Sequence, residues 1–363
     1  MKHPVQKYDF DTLFTQLSKR VEDGLVDVKL QGDLRLFNYS QQCQHDKLWD
    51  DFTRSARGLI LDLKEKRVAA LPFPKFHNFG ELAEPLPNEG FKVYTKYDGS
   101  LGIIYHHDGT WHVATRGSFD SEQAVWATQW LRTHLPAELR EPWATNFTLL
   151  AEIIYPSNKI VVDYNGWEGL VLLSVYDTHL MSEMEPGSIA LYENVRETQG
   201  WKVCETESYD SIDKLLEVAK VLGHNEEGFV VRFDSGYRIK IKGEAYCRVH
   251  KIVSGITPLR VWEHLRNRDD LDGIVKTVPD EFQKEFSRIK EVLLGQIWAI
   301  IKEAKDLYAK HKNLPSRKDF AMAIGKGPIA GLCFMLLDGA NDDRLFDYAS
   351  KLVRPTGNDL NLL

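Results

Sequence analysis

The segment Lys92–Tyr105 places Lys96 at the entrance of a predicted hairpin turn. Its outer parts alternate apolar and polar residues and contain β-branched and aromatic side chains, which is typical of strands. Asp98 and Gly99 favour a turn and let a ligand approach the backbone closely. A lysine amine that has lost its proton can attack a phosphorus atom, and burial or a neighbouring cation favours that loss. The alternative is an exposed turn with a solvated lysine, because so short a motif depends on its context.

Further cations fall in or beside predicted strands. Arg57 precedes a glycine and a nearly continuous apolar strand, and its guanidinium suits a nucleotide phosphate or ribose. A surface arginine beside a turn is the alternative. Lys75 lies among the aromatic residues of 72–79, which predict either a wall of a nucleotide pocket or a loop packed on the core. Arg116 stands at the end of the predicted strand 111–118, beside a glycine.

Two strands carry charge where burial is expected. Glu152 lies in a strand whose composition predicts burial on both faces, and buried carboxylates are rare unless they are paired or bound to a cation. A structural salt bridge is its chief alternative. Lys240 and Lys242 share one face of a strand that follows Glu227-Gly228, and isoleucines occupy the other face. Adjacent ammonium groups repel each other unless an anion lies between them, although a solvated face is also compatible with this pattern.

The remaining periodicity predicts an N-terminal block of antiparallel strands with a few helices, followed by helices alone from about residue 251. Helices are predicted over 8–22, 121–135 and 211–222, and then over 257–267, 282–307, 317–337 and 342–353. Strands are predicted over 26–37, 57–62, 147–155 and 168–176. Two more flank a hairpin turn at 234–236, one directly after Glu227-Gly228 and one at 237–242.

The composition limits the class of protein. The 363 residues suggest two domains, and no apolar run is long enough to predict a membrane span or a signal peptide. The four cysteines are far apart, which indicates reduced thiols in a cytoplasmic protein rather than a zinc site. A net charge of −7 argues against a general nucleic-acid coat protein but allows a local basic groove.

Together, these residues suit a nucleoside triphosphate with a divalent metal. Cations neutralise phosphate oxygens, and carboxylates hold the metal directly or through its waters. The set consists of Arg57, Lys75, Lys96, Arg116, Lys240 and Lys242 with Asp98, Glu152 and Glu227. No Walker motif or kinase signature accounts for phosphate binding, and 325–328 lacks the Walker spacing. A lysine nucleophile is the economical hypothesis.

These residues resemble the motifs of the covalent nucleotidyltransferases, which comprise ATP-dependent ligases and capping enzymes. Lys96-Tyr97-Asp98-Gly99 is similar to motif I, Glu152 to motif III, Glu227-Gly228 to motif IV, and Lys240-Ile241-Lys242 to motif V. The order and the spacing both agree, so the set is far more specific than any one member.

Within that group, the chain most resembles the phage-type RNA ligase 1 family. The evidence is Arg57-Gly58, the Pro-x-x-Lys-Phe-x-Asn run at 72–78, and Tyr39 in an aromatic-rich strand pair. The resemblance covers roughly residues 30–250, and helices follow it where DNA ligases and capping enzymes usually have an OB-fold.

The resemblance implies an α+β fold. We expect an antiparallel-sheet nucleotidyltransferase (ATP-grasp-like ligase) domain at 1–250 and an all-helical C-terminal domain at 251–363, a candidate RNA-specificity module. It also implies ATP-dependent joining of RNA 5′-phosphate and 3′-OH ends through lysyl-adenylate and RNA-adenylate intermediates, in RNA repair. The implied cofactors are ATP and Mg²⁺, with Mn²⁺ as a substitute. A broken tRNA is one candidate substrate, and we expect a monomer in the cytoplasm, or in the host-cell cytoplasm if the source is viral.

The resemblance also assigns roles to single residues. Lys96 is the nucleophile with Asp98 close to its amine, Lys240 binds the α-phosphate, and Lys242 binds the α-phosphate or the leaving group. Arg57 and Lys75 contact ATP phosphate or ribose, Glu227 organises the water shell of Mg²⁺, and Glu152 lies near the ribose or the metal. The other expected nucleotide-binding residues are Tyr39, Gly99, Arg116 and Gly228.

Two residues depart from the family pattern, since Arg116 stands where a lysine is common and His77 where a phenylalanine is expected. An arginine keeps the charge but changes the geometry. A GTP-dependent capping guanylyltransferase and a catalytically inactive RNA-end-binding protein remain the alternative functions.

Overall fold

The structure is a computed structural model that describes residues 2–82, 84–186, 188–278 and 282–355. The chain divides into two compact units, Met1–Val249 and His250–Leu363. The first unit is the mixed α/β part with antiparallel sheets that the sequence predicts. No helix in the described part of the chain is long and apolar enough to cross a membrane.

The described residues of the first unit contain fifteen strands, six complete α-helices and the first part of a seventh α-helix. The strands are β1 (Val26–Gln31), β2 (Leu34–Tyr39), β3 (Arg57–Asp62), β4 (Arg67–Ala70), β5 (His77–Asn78), β6 (Phe91–Thr95), β7 (Ser100–His107), β8 (Thr110–Ala114), β9 (Phe147–Ile154), β10 (Gly169–Asp177), β11 (Ser182–Met184), β12 (Trp201–Val203), β13 (Thr206–Glu207), β14 (Gly228–Phe233) and β15 (Arg238–Lys242). The helices are α1 (Phe10–Glu22), α2 (Gln41–Asp46), α3 (Asp51–Ser55), α4 (Glu122–Thr133), α5 (Leu191–Glu197), α6 (Ile212–Val221) and α7 (Glu244–Val253), which crosses the boundary.

These strands form three sheets. Sheet 1 has the order β1-β2-β3-β4, and sheet 2 has the order β11-β10-β9-β7-β8, with β12 added parallel to β10. Sheet 3 has the order β13-β6-β14-β15-β5, in which β15 and β5 are parallel. The other neighbours pair antiparallel, as expected for strands that alternate apolar and polar residues.

Each sheet buries the apolar face that its sequence supplies. Helices α4 and α5 cover sheet 2 through residues such as Leu131 and Val195. Helix α6 covers the outer face of sheet 3, where Ile239 and Ile241 are buried against Leu215. Since side chains alternate along a strand, this packing turns Lys240 and Lys242 towards the opposite face of sheet 3.

The segment around Lys96 differs from the sequence prediction. Its flanking strands do not form a hairpin, because β6 pairs with β13 and β14 in sheet 3 while β7 pairs with β8 and β9 in sheet 2. Residues 96–99 are therefore a connection between two sheets. Strand β8 also ends earlier than predicted, at Ala114, so Arg116 lies in a loop.

The regular elements that the structure describes in the second unit are helices. They comprise the end of α7 and then α8 (Pro258–Asn267), α9 (Leu271–Thr277), α10 (Gln283–His311), α11 (Arg317–Ile324), α12 (Pro328–Leu337) and α13 (Asp342–Leu352). Helix α10 buries the residues of its predicted apolar stripe, for example Ile289, Leu293 and Ile297. The single helix predicted over 317–337 is wrong, because Gly325 and Gly327 adopt positive φ values of 75° and 143° and interrupt it. Residues 279–281 and 356–363 of this predicted domain lie outside the described residues.

A buried ion cluster joins sheet 2 to sheet 3. Glu183 of β11 accepts hydrogen bonds from Ser174 Oγ at 2.7 Å, from Arg232 Nε at 3.2 Å and from Arg238 Nη2. Burial alone would raise the pKa of Glu183, but the two guanidinium groups hold it below its usual value. Arg232 also donates a 2.5 Å hydrogen bond to the more exposed Glu185.

We predict that Glu183→Ala lowers the free energy of unfolding by about 3–5 kcal/mol, because it leaves two buried guanidinium groups without their shared carboxylate. Urea unfolding at pH 7 measures the loss. The matched control is Glu185→Ala, which removes a half-exposed partner of Arg232 and is expected to cost less than about 1 kcal/mol. Equal losses for the two variants would contradict the cluster's role in joining the sheets.

Candidate active site

A cavity of about 540 Å³ lies where sheets 2 and 3 face each other. Sheet 2 contributes residues of β7, β9 and β10, and sheet 3 contributes residues of β6, β14 and β15. The predicted site residues that line it are Arg57, Lys96, Gly99, Arg116, Glu152 and Lys240. The other predicted residues contact members of this set or lie beside them, so the motifs that are distant in sequence converge on one place.

Glu227 links two of the predicted lysines. Its Oε2 lies 2.7 Å from Lys96 Nζ and its Oε1 lies 3.1 Å from Lys242 Nζ. The carboxylate is buried, whereas the Lys96 side chain remains 20% exposed and lines the cavity. The backbone supports this arrangement, because Lys96 N donates a 2.8 Å hydrogen bond to Gly228 O. Glu227 therefore holds the Lys96 amine at the cavity while its charge is shared with Lys242.

Two glycines permit the backbone to pack this closely. Gly228 has a φ of 130°, and a Cβ there would lie 2.2 Å from Ile241 O and 2.8 Å from Lys242 Cα. At Gly99 a Cβ would lie 2.5 Å from Ile153 O and 3.1 Å from Glu152 Cγ. Any side chain at these positions would separate the Lys96 connection from β9 or separate β14 from β15.

Lys240 is surrounded by positive charge. Burial lowers its pKa well below the usual value, and Arg57, Lys75, Lys96 and Lys242 lower it further. Its amine lies 5.1 Å from the centre of the Phe76 ring. No carboxylate among the described residues pairs with it, so the charges around this side of the cavity favour an anionic ligand.

The hydroxyl of Tyr39 joins two cations at the cavity. It accepts hydrogen bonds from Arg116 Nη1 at 2.9 Å and from Lys75 Nζ at 3.4 Å. Lys75 also donates to Gln44 Oε1 at 2.7 Å, and its amine lies 5.4 Å from the centre of the Trp49 ring. Arg116 therefore holds a defined position, although it replaces the lysine common in the family.

The residues at 72–79 are both core and cavity wall. Phe73 is buried in the core next to sheet 1, and Phe73 and Phe76 both line the cavity. His77 is buried against Trp49 at a ring distance of 5.5 Å, and its Nδ1 lies 3.1 Å from Glu81 Oε1. It is not among the residues that line the cavity.

Glu152 lies on the cavity wall formed by β9. Burial raises the pKa of its carboxyl to about 7. Lys96 opposes this shift, and the carboxylates of Glu227 and Asp98 add to it. No group of three or more histidine, cysteine, aspartate or glutamate side chains among the described residues is arranged to hold a metal ion by itself.

Asp98 is tied to the protein rather than directed into the cavity. Its Oδ2 accepts hydrogen bonds from the backbone N–H groups of Val161 and Val162, both at 2.9 Å, and its Oδ1 accepts one from Tyr246 at 2.7 Å. Its own N–H donates to the hydroxyl of Tyr164 at 2.7 Å. These contacts position the Lys96 connection, whereas a role for Asp98 beside the reacting amine stays a prediction.

Sequence reasoning missed several partners of the predicted residues. Tyr246, Tyr164 and Glu183 carry no motif, and their partners lie far away in sequence. Arg238 could have been found, because it stands two residues before Lys240 and thus on the same face of β15.

Comparison with known proteins identifies the family. A family model described as RNA ligase matches residues 55–246, just over half of the chain. The chain therefore belongs to the phage-type RNA ligase family. The chain is similar to an RNA ligase of Rhodothermus phage RM378, with 25% identity over 92% of this chain and 91% of that protein.

Two further proteins are similar over a shorter part of the chain or at lower sequence identity. A putative bifunctional polynucleotide kinase/RNA ligase of Autographa californica nuclear polyhedrosis virus is 30% identical over 54% of this chain, which spans only 30% of that protein. The solved structure of an archaeal ATP-dependent RNA ligase has the same fold, with 15% identity, a TM-score of 0.51, and coverage of 82% of this chain and 83% of that one.

We predict that Gly228→Ala lowers the free energy of unfolding by about 1–3 kcal/mol more than Gly32→Ala. Gly228 has a positive φ and no room for a Cβ, whereas Gly32 has a φ of 55° and nothing within 4 Å of the added Cβ. The Gly32→Ala control thus places an alanine at a positive φ without a clash between its Cβ and neighbouring backbone atoms. Urea unfolding of both variants checks this, and a similar cost at both positions would contradict the close packing of β14 on β15.

We also predict a pH-dependent contribution from Glu81. Burial alone would raise its pKa, but hydrogen bonds with His77 and with the N–H of Asn78 lower it to about 2. Because this value lies below the unfolded value of 4.5, Glu81 stabilises the protein above pH 4.5 and loses this effect as the pH falls towards 2. The difference between the unfolding free energies of the wild type and Glu81→Gln should be largest at pH 7 and shrink as the pH falls from 4.5 towards 2. A constant difference would show that the carboxylate's ionisation is not involved.

Proposed function

We propose that this chain is an ATP-dependent RNA ligase that joins 5′-phosphate and 3′-OH ends through lysyl-adenylate and RNA-adenylate intermediates. The observation that carries the proposal is the position of Lys96 in a cavity whose other cations include Lys240, which no described carboxylate neutralises. A nucleoside triphosphate supplies the missing negative charge and the phosphorus atom that a lysine can attack. Membership of the RNA ligase family supports RNA as the substrate that receives the nucleotide.

The position of Lys96 at the cavity supports the first step. After Lys96 has lost a proton to solvent, its Nζ attacks the α-phosphorus of ATP, a P–N bond forms with loss of a second amine proton, and the P–O bond to pyrophosphate breaks. Glu227 keeps the amine in place through its 2.7 Å contact. Lys240 and Lys242 neutralise the α-phosphate or the leaving group, while Arg57, Lys75 and Arg116 bind phosphate or ribose. Such transfers depend mainly on positioning and charge neutralisation.

The next two steps use the same site. The 5′-phosphate of the RNA attacks the adenylate, which frees Lys96 and forms a pyrophosphate-linked RNA-adenylate. A 3′-OH then attacks the RNA 5′-phosphorus, the phosphodiester forms and AMP leaves. Charge neutralisation by the same cations serves each displacement.

The site fits a divalent metal bound together with the nucleotide. Burial raises the pKa of Glu152 although Lys96 and Arg57 oppose the shift, and a bound cation would stabilise the ionised carboxylate further. Mg²⁺ is typically held by one or two carboxylates together with substrate phosphates and waters, a role that Glu227 and Glu152 would fill, with Mn²⁺ as a substitute. When bound, the metal would neutralise charge on the phosphates.

The wider assignment is also a proposal. We propose that residues 1–250 form the adenylyltransferase domain and 251–363 an RNA-specificity module, that the chain works as a monomer in RNA repair, and that a broken tRNA is one substrate. A cytoplasmic location, in the host cell if the source is viral, is supported by four free cysteines.

We predict that α-labelled ATP with Mg²⁺ labels the protein and that Lys96→Ala abolishes the label. The matched control is Lys92→Ala, which removes a half-exposed lysine from β6, the strand that leads to Lys96, and should retain full labelling. Gel electrophoresis after denaturation detects the covalent adduct. Retained labelling of Lys96→Ala would remove this lysine from the mechanism.

The same assay separates the alternative functions. Labelling from GTP instead of ATP would favour a capping-type guanylyltransferase, and no labelling from either would favour an RNA-end-binding protein. Joining assays with nicked tRNA, nicked duplex and single-stranded RNA then identify the preferred substrate.

A further inference from the structure

A second cavity lies on the other side of the Lys96 connection. It has a volume of about 160 Å³ and is lined by Asp98 and by residues of the segment 154–167. A cavity of about 150 Å³ is large enough to bind benzene, so this one has room for one aromatic ring. None of the catalytic steps described above uses it.

Aromatic side chains form a row from the catalytic cavity to this second cavity. Tyr97, which lines the catalytic cavity, stacks on Tyr164 with ring centres 6.3 Å apart and planes inclined by 20°. Trp167 meets Tyr164 edge-on at 6.5 Å, and Tyr164 and Trp167 both line the second cavity. Rings so arranged offer faces and edges on which a planar ligand can stack.

The wall that these rings form is preorganised. The hydroxyl of Tyr164 accepts the Asp98 N–H at 2.7 Å, and Trp167 N donates to Tyr164 O at 3.0 Å. Asn165 and Gly166 between them adopt positive φ values of 54° and 76°, which set the turn. The rings therefore need little ordering when a ligand binds.

Tyr155 adds a further ring to the wall of this cavity. It lines the cavity and is 5% exposed, and its ring stacks on Trp126 at 4.4 Å. Its hydroxyl is shielded from the cavity, so Tyr155 contributes its ring rather than a hydrogen-bonding group.

Hydrogen bonds link the wall of the second cavity to the wall of the catalytic one. Asn158 lines it, and Asn158 Oδ1 accepts hydrogen bonds from Ser100 Oγ at 3.2 Å and from Gln123 Nε2 at 3.3 Å. Ser100 and Gln123 line the catalytic cavity. On the outer side, Lys202 Nζ lies 4.1 Å above the Trp167 ring, which places a cation for a phosphate beside the aromatic wall.

We propose that this cavity binds the base of the RNA nucleotide that carries the 5′-phosphate. A nucleobase has a ring that stacks on aromatic side chains, and its strand carries phosphates for Lys202. The proposal rests on the proposed ligase function, which requires this 5′-phosphate next to Lys96. Its base must then lie within one nucleotide of Lys96, and the cavity is lined by Asp98, two residues away.

The test uses Trp167→Ala and Tyr155→Phe in the full-length chain. Both variants should retain self-adenylation from labelled ATP, because neither side chain lines the catalytic cavity. With a single-stranded 5′-phosphate RNA, Trp167→Ala should raise the KM for RNA-adenylate formation about 5- to 150-fold, the range expected for the loss of one stacked base. Tyr155→Phe should leave it unchanged, because this variant keeps the ring and removes only a hydroxyl that is shielded from the cavity. Trp143→Ala is the control, because it removes a half-exposed tryptophan that lines neither cavity.

Abasic RNAs identify the occupant. An RNA without a base at its 5′-terminal nucleotide should be a poor substrate for the wild type, and Trp167→Ala should then cause no further loss. An RNA without a base at its 3′-terminal nucleotide should still show the full effect of Trp167→Ala. Loss of the effect on the 3′-abasic RNA instead would overturn the proposal.

Other results separate this proposal from the ligase function. An unchanged KM for Trp167→Ala would overturn the base site while self-adenylation upholds the ligase. A parallel fall in self-adenylation and RNA-adenylate formation would show that Trp167 only supports the fold, and would also overturn the base site. Failure of the wild type to form the lysine adduct would instead remove the proposed function itself.

Discussion

The contact between Lys96, Glu227 and Lys242 is the interaction on which the rest of the site depends. A lysine nucleophile must stand at the cavity wall while it is exposed to other cations, and like charges at this distance repel each other. Glu227 opposes that repulsion because each of its oxygens faces one ammonium group. The Glu227 carboxylate is itself buried. Its position next to Lys242 depends on the close packing of Gly228 against β15, which leaves no room for a Cβ.

The Lys96 connection gains its position from both sheets. Its N-terminal side continues β6 of sheet 3, and its C-terminal side continues β7 of sheet 2. Asp98 fixes the middle of the connection through three hydrogen bonds to groups that come from the segment 161–162 and from α7. The nucleophile therefore stands on a rigid support between the two walls of the cavity, where a triphosphate bound by residues of both sheets meets it.

Much of the local structure could be predicted from the sequence, because it depends on periodicity. The hairpin between β14 and β15 and the shared face of Lys240 and Lys242 follow from alternation and from the turn residues at 234–236. The pairing of the strands, by contrast, could not be predicted from this periodicity. Alternation indicates a strand but not its neighbours, so the β6–β7 connection was predicted as a hairpin although its strands belong to different sheets.

The convergence of the predicted site residues could be expected from their charges, whereas their hydrogen-bond partners could not be found because they lie far away in sequence. Charges in strands of one block could point to solvent or to a common cavity, because burying an unpaired cation in a core is costly. By contrast, Tyr246 meets Asp98 across 148 residues of sequence, and no local pattern distinguishes such a tyrosine from any other buried one.

The arrangement of charge also accommodates Arg116, at a position where the resemblance to the family leads us to expect a lysine. Arginine is rigid and has several donors, so one N–H can be given to the Tyr39 hydroxyl while others remain directed elsewhere. The same hydroxyl is also within 3.4 Å of Lys75, so it brings two cations to one side of the cavity. As a neutral acceptor, the Tyr39 hydroxyl orders these side chains without itself offsetting their positive charge, which a carboxylate at its position would do.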